Sequence, residues 1–240
     1  MNRCRLPLCL LLTAFAGPLF ATGPLFATGP LFATGPLFAE ESKDAGESGV
    51  RFDPVKKNIE GWTVHIDPAM LEGEHAEAGG KAIGMLANHL QRIAIFMPEK
   101  QLKTMRTLEI WIEHHHPTLG NMQYHPGAGW LRDHGHDPRL HRKVHIPRAK
   151  ALLSRQQILK PPAVILHELA HSYHDQILDF DHPQIKQAYE RAMAAGKYKE
   201  VLLYTGRTVR HYGTTNEKEF FAEGTEAYFY RNDFYPFVAA

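Results

Sequence analysis

Apolar and polar residues alternate through Trp62-Thr63-Val64-His65-Ile66, the period-two pattern of a strand. The period then changes. Ile83, Leu86, Leu90, Ile93 and Met97 recur at steps of three and four, which predicts a long amphipathic helix over 74–97, ended by Pro98. Leu108 to Glu113 returns to period two and predicts a second strand, and Lys143-Val144-His145-Ile146 predicts a further strand before Pro147. A helix is expected over Pro183 to Ala195, with Ile185, Ala188, Tyr189 and Ala192 on one face. Strand, helix, strand is the usual opening of an α/β layer; the domain expected overall is α+β, with a small mixed sheet and a long supporting helix.

The N-terminal stretch reads differently. Arg3 and Arg5 precede the apolar run Leu6 to Ala16, the layout of a signal peptide, so residues 1–39 are expected to direct export to a secreted or periplasmic location. Within them Gly17–Thr22, Gly23–Thr28 and Gly29–Thr34 each read GPLFAT, and Gly35–Glu40 reads GPLFAE. Such short repeats cannot close a core, and a Gly-Pro pair at every sixth residue disfavours a membrane-spanning helix. An uncleaved anchor is the other reading; cleavage after Ala39 would leave no stable membrane span. It would also remove Cys4 and Cys9, the two cysteines of the sequence, and with them disulfide and thiolate chemistry. Residues 40–58 are polar and Gly-bearing, as suits a flexible leader, and the domain is expected over 59–240.

Charge is nearly balanced, with 27 Lys plus Arg against 26 Asp plus Glu, which argues against a nucleic-acid partner bound through a basic surface. Histidine is the outlier, with 16 residues, and invites a metal or proton-transfer reading. Half of them, His114, His115, His116, His125, His134, His136, His141 and His145, fall in one segment rich in Gly and Pro, which predicts mostly loop. The plain reading is a solvated polar loop whose histidines bind nothing specific. The stretch from Tyr124 to Leu131 is also placed to line a substrate cleft, with Trp130 walling a subsite.

The chemistry concentrates after Pro161-Pro162, where a helix carries His167-Glu168-Leu169-Ala170-His171. Residues four apart share a helix face, so His167 and His171 can present imidazoles to one ion, and Glu168 can take a proton from a water on that ion. The apolar Val164, Ile165, Leu166, Leu169 and Ala170 mark the helix as buried, where two histidines and a glutamate are costly unless a metal meets them. The spacing after His171 rejects a metzincin, because His174 and Ile177 stand where Gly and His are required. His174 is a fallback ligand. The favoured third ligand is a carboxylate from a C-terminal helix on which Glu219, Glu223 and Glu226 share one face: Glu219 is assigned to the metal, Glu223 to orienting a ligating histidine, and Glu226 to support or structure.

His167-Glu168-Leu169-Ala170-His171, followed by Tyr212 and then by Asn216-Glu217-Lys218-Glu219-Phe220-Phe221-Ala222-Glu223, resembles the catalytic domain of anthrax lethal factor-like metallopeptidases, a gluzincin-type layout shared by secreted Pro-Pro endopeptidases. The match covers roughly residues 160–230. The resemblance implies a zincin-like fold, one Zn²⁺ per chain on His167, His171 and Glu219, Glu168 as general base, and Tyr212 as oxyanion donor. A thermolysin-type register would make Glu217 the ligand, but Phe221 occupies the place of its Asp. The function expected is a secreted zinc endopeptidase acting on protein or peptide substrates through a zinc-bound water activated by Glu168, with the oxyanion stabilised by zinc and Tyr212. Two alternatives stand beside it. An exported His-rich metal-binding protein would take several metal equivalents where the enzyme takes one, and a catalytically idle zincin-fold interaction module would have no need of Glu168.

Overall fold

The computed structural model describes residues 49–155 and 163–235. The signal and repeat assignment, residues 40–48 of the leader and the Pro161-Pro162 helix start lie outside these. The described residues form a mixed α/β domain with a small mixed sheet and six α-helices, compatible with the α+β expectation.

Five strands build the main sheet: β1 (Val55–Ile59), β2 (Trp62–Ile66), β3 (Glu109–Ile112), β4 (Gln123–Tyr124) and β5 (Lys143–Ile146), in the order β1-β2-β3-β5-β4. The three central strands are parallel and the two outer pairings antiparallel. β1 lies in the stretch assigned to the flexible leader. Its residues are mostly exposed and show no apolar alternation, since an edge strand can be held by backbone hydrogen bonds alone. A tight turn joins it to β2, with φ of +52° at Glu60 and +98° at Gly61; a Cβ on Gly61 would also meet the Arg106 guanidinium, which lies over the Trp62 ring. Ahead of β1, Arg51 pairs with buried Glu113 and Phe52 packs 5.6 Å from Trp111, so residues 49–58 are docked.

The alternation of β2, β3 and β5 sorts residues to two faces. Val64, Ile110 and Val144, with Ile66, Ile112 and Ile146, face the main core. Helix α1 (Ala76–Phe96) presses Leu86, Leu90 and Ile93 of the predicted stripe onto that core together with Ala82, with Ile83 partly buried beside it, and α2 (Glu99–Met105) leads back into β3. On the opposite face His65, Trp111 and His145 stand side by side in register.

That second face explains the crowded segment. Between β3 and β5 the chain folds over it, forming β4 and a short helix α3 (Ala128–Asp133), and buries Leu131 and Leu140 against Trp111. His116, His125, His136 and His145 are all buried there, with His125 Nε2 3.1 Å from His145 Nδ1. The expected solvated loop is therefore corrected: half its histidines form part of a packed layer, because Trp111 and His145 alternate away from the main core and need cover.

Helix α4 (Ala163–Tyr173) runs on through a π-turn at His174–Leu178; α5 (Pro183–Ala194) and α6 (Glu217–Phe229) follow, separated by the short ribbon of β6 (Val201–Leu202) and β7 (Thr208–Val209). Leu90 is fully buried and Ile95, on the same helix, is 80% exposed. Leu90→Ala should lower the free energy of unfolding by about 2–5 kcal/mol in denaturant titration, and Ile95→Ala by about 0.5 kcal/mol or less.

Candidate metal centre

Helix α4 meets α6 along its polar side, while Ile165, Leu166 and Leu169 point into the main core. Helix α6 begins on Asn216, whose side chain accepts from the amides of Lys218 and Glu219, so the first acidic residue of the face is held where the helix starts. The contact brings together the three residues assigned to a metal. His167 Nε2 lies 3.1 Å from His171 Nε2 and 3.1 Å from Glu219 Oε2, and His171 Nε2 lies 3.2 Å from the same oxygen. A tetrahedral ion bound at about 2.0–2.1 Å keeps its ligand atoms roughly 3.3 Å apart, so this triangle can take one ion.

The other nitrogen of His167 decides the supporting residue. Nδ1 is 2.7 Å from Glu226 Oε1 and 3.7 Å from Glu223 Oε1. Donation to Glu226 leaves the Nε2 lone pair directed at the triangle, the tautomer a metal needs. Glu226 is thus the carboxylate in hydrogen-bond contact with His167, while Glu223, assigned from the sequence to orient a ligating histidine, stands farther from it and is engaged by the Asn232 side-chain amide at 2.7 Å. At 100° per residue Glu226 returns to within about 20° of Glu219, whereas Glu223 stands about 40° off.

Glu168, beside His167 in the sequence, is held by the sheet through one of its oxygens. Its Oε2 accepts a 2.8 Å hydrogen bond from the amide of Tyr124 in edge strand β4. Burial pushes the Glu168 carboxyl up to about 7, and burial with the neighbouring Glu226 does the same for Glu223. Burial also opposes ionisation of Glu219, but hydrogen bonds to His167 and His171 bring it down to about 2. Four carboxylates grouped around two imidazoles in a largely buried site form a donor set that suits a cation.

Tyr212 opens a 3-10 turn, Tyr212–Thr214, between the ribbon and α6. Its ring centroid is 6.3 Å from that of His167 and half the residue is exposed, so the tyrosine borders the site. Burial and the charges of Glu219, Glu168 and Glu223 raise its pKa, which keeps it a hydrogen-bond donor. The turn is anchored by Arg210, which donates to the Thr214 carbonyl at 2.6 Å, and by His211, whose Nδ1 accepts from the Gly213 amide.

His174, the fallback ligand, is not part of the triangle. Two helical turns beyond His167, it is fully buried against Phe180 and Phe221. Glu217 is likewise absent from the groups of three ligand atoms able to hold an ion; among the described residues these are His167 with His171 and Glu219, and His167 with Glu223 and Glu226. No such group occurs among His114 to His145. Asn232 and the Tyr124 amide had no signal in the sequence, since both reach the site through chain crossings remote from the motif. Neither a protein-family model, nor a curated protein, nor a solved structure matches this chain.

Glu226→Gln should weaken the affinity of this site for a divalent cation by roughly 10–100-fold in chelator competition, with Glu223→Gln costing less. The reverse order would return the orienting role to Glu223.

Proposed function

We propose that this chain is an exported zinc-dependent endopeptidase with a zincin-like domain. The observation that carries the reading is the triangle of His167 Nε2, His171 Nε2 and Glu219 Oε2, with Glu168 one residue from the first ligand and buried beside an edge strand. The layout agrees with the resemblance to lethal factor-like metallopeptidases. Two imidazoles and a carboxylate suit zinc and leave a fourth position open, as a catalytic rather than structural site requires. When bound, zinc supplies a Lewis acid for the scissile carbonyl and lowers the pKa of a water at that open position.

The chain's own groups divide the remaining work. The Glu168 carboxylate accepts the proton of the attacking water and returns it to the departing amine; a carboxyl brought to about 7 by burial is suited to both transfers near neutral pH. The Tyr212 hydroxyl donates to the carbonyl oxygen as charge collects on it. Glu226 holds His167 in the tautomer and rotation that direct Nε2 at the metal position. β4, a sheet-edge strand beside Glu168, lies where an extended peptide can add to the sheet, its Tyr124 amide being already engaged by Glu168. The buried histidines of the second sheet face have no step in this scheme. Peptide or protein is accordingly the substrate class, and export by the N-terminal segment sets where it acts.

Glu168→Gln should keep its zinc and lose about 10³-fold in peptide hydrolysis. A glutamine variant cleaving at the wild-type rate would remove this reading. Tyr212→Phe should lower kcat by about 10²-fold with zinc content unchanged, measured by steady-state kinetics and metal analysis. Full activity in that variant would take the tyrosine out of the reaction.

A further inference from the structure

The π-turn His174–Leu178 at the end of helix α4 holds no metal ligand, yet such turns recur where function redirects a helix. What it presents is Asp175 and Gln176. Asp175 Oδ2 accepts a 2.5 Å hydrogen bond from the Tyr124 hydroxyl, and the Tyr124 amide donates at 2.8 Å to Glu168 Oε2. Glu168 and Asp175 are nearly two helical turns apart on one face, about 10 Å along the axis. Tyr124, laid along that face, meets one with its backbone and the other with the far end of its ring. Phenylalanine would lose the second contact, and a shorter polar side chain would not span the gap.

The strand needs such a mooring. β4 has two residues, lies at the sheet edge and, among the described residues, pairs only with β5. So short a ladder contributes few hydrogen bonds of its own. A second strap runs parallel to the first, from Gln176 Nε2 to the Arg142 carbonyl at 3.1 Å, just ahead of β5, and to Ser172 Oγ at 2.9 Å. Arg142 Nε stands 3.8 Å from Asp175 Oδ2, keeping a cation beside the acceptor. The π-turn thus ties α4 to edge strand β4 and to the residue ahead of its neighbour β5, with β4 the strand on which Glu168 leans.

We propose that Tyr124 is a positioning residue for Glu168: its phenol, moored on Asp175, fixes β4 against α4 so that its amide holds the Glu168 carboxylate in a single orientation. The inference rests on the reading of Glu168 as the base. One oxygen is occupied by Tyr124, and among the described residues no hydrogen bond takes the other, which remains for the proton transfer. Burial and Asp175 hold the Tyr124 phenol far above its usual value, so it donates across the working pH range and has no proton-transfer duty itself. Orientation matters because a base must lie within hydrogen-bond reach of the proton it takes.

Amide hydrogen exchange on the full chain, without added metal, reads the mooring apart from catalysis. Tyr124→Phe and Asp175→Asn should each speed exchange at residue 124 by about tenfold, the double variant no more than either single, with the Val64 and Ile110 amides of β2 and β3 unchanged. On a cleaved peptide each single variant should lower kcat by about tenfold at unchanged zinc content and little altered KM. Wild-type exchange at residue 124 in both singles, additive effects in the double, or a parallel rise at Val64 and Ile110 would overturn the proposal; the last would mark ordinary loss of stability. A wild-type chain that cleaves no peptide would instead defeat the peptidase reading, while the exchange data would still decide the mooring.

Discussion

Helix α4 has to be buried and yet carry two imidazoles and a carboxylate, and the elements around it answer that demand one group at a time. Its apolar residues Ile165, Leu166 and Leu169 press into the sheet core, so the polar side cannot turn to water. Buried polar groups of this kind cost several kcal/mol without partners. Helix α6 meets His167 from both ends of its ring, with Glu219 at Nε2 and Glu226 at Nδ1, and strand β4 meets Glu168 with a backbone amide. If any of these neighbours shifted, a buried group would be left unpaired.

The sheet serves these elements from one face and builds a second layer on the other. Trp111 and His145 alternate away from the main core, and the segment between β3 and β5 folds back to cover them with Leu131, Leu140 and its own histidines. Histidine abundance therefore has two separate physical meanings in this chain. At 167 and 171 it brings two ring nitrogens together beside one carboxylate oxygen; at 116, 125, 136 and 145 it supplies flat rings that pack edge and face against one another and against Trp130. The same segment threads β4 along the edge next to Glu168, so the packing layer and the His167–Glu168 site share one short strand.

Much of this was legible in the chain and some was not. The stripe of α1, the strands at 62–66 and 109–112, and the helix carrying His167 and His171 follow from periods of two and 3.6, because each buries one continuous face. The shared face of Glu219, Glu223 and Glu226 was equally visible, but not which of them His167 would meet. That depends on how far α6 is turned about its axis when it packs on α4, a tertiary quantity. β1 and the burial of the 114–145 histidines had no periodic signature: an edge strand needs only backbone partners, and an irregular segment buries its side chains wherever the neighbouring face requires cover.

By itself, then, the sequence determined the chemical inventory and its local order: two imidazoles one turn apart, a carboxylate beside the first, an acidic helix face some fifty residues on, and a tyrosine just ahead of it. Helical spacing is local geometry, and local geometry survives into any fold that keeps the helix. Tertiary structure alone decided that Glu226 meets His167, that Glu223 turns to Asn232, that His174 is enclosed by phenylalanines, and that Tyr124 spans from Glu168 to Asp175. Each is a contact between chain segments far apart in sequence, set by the approach of two surfaces, and no one-dimensional period encodes that distance.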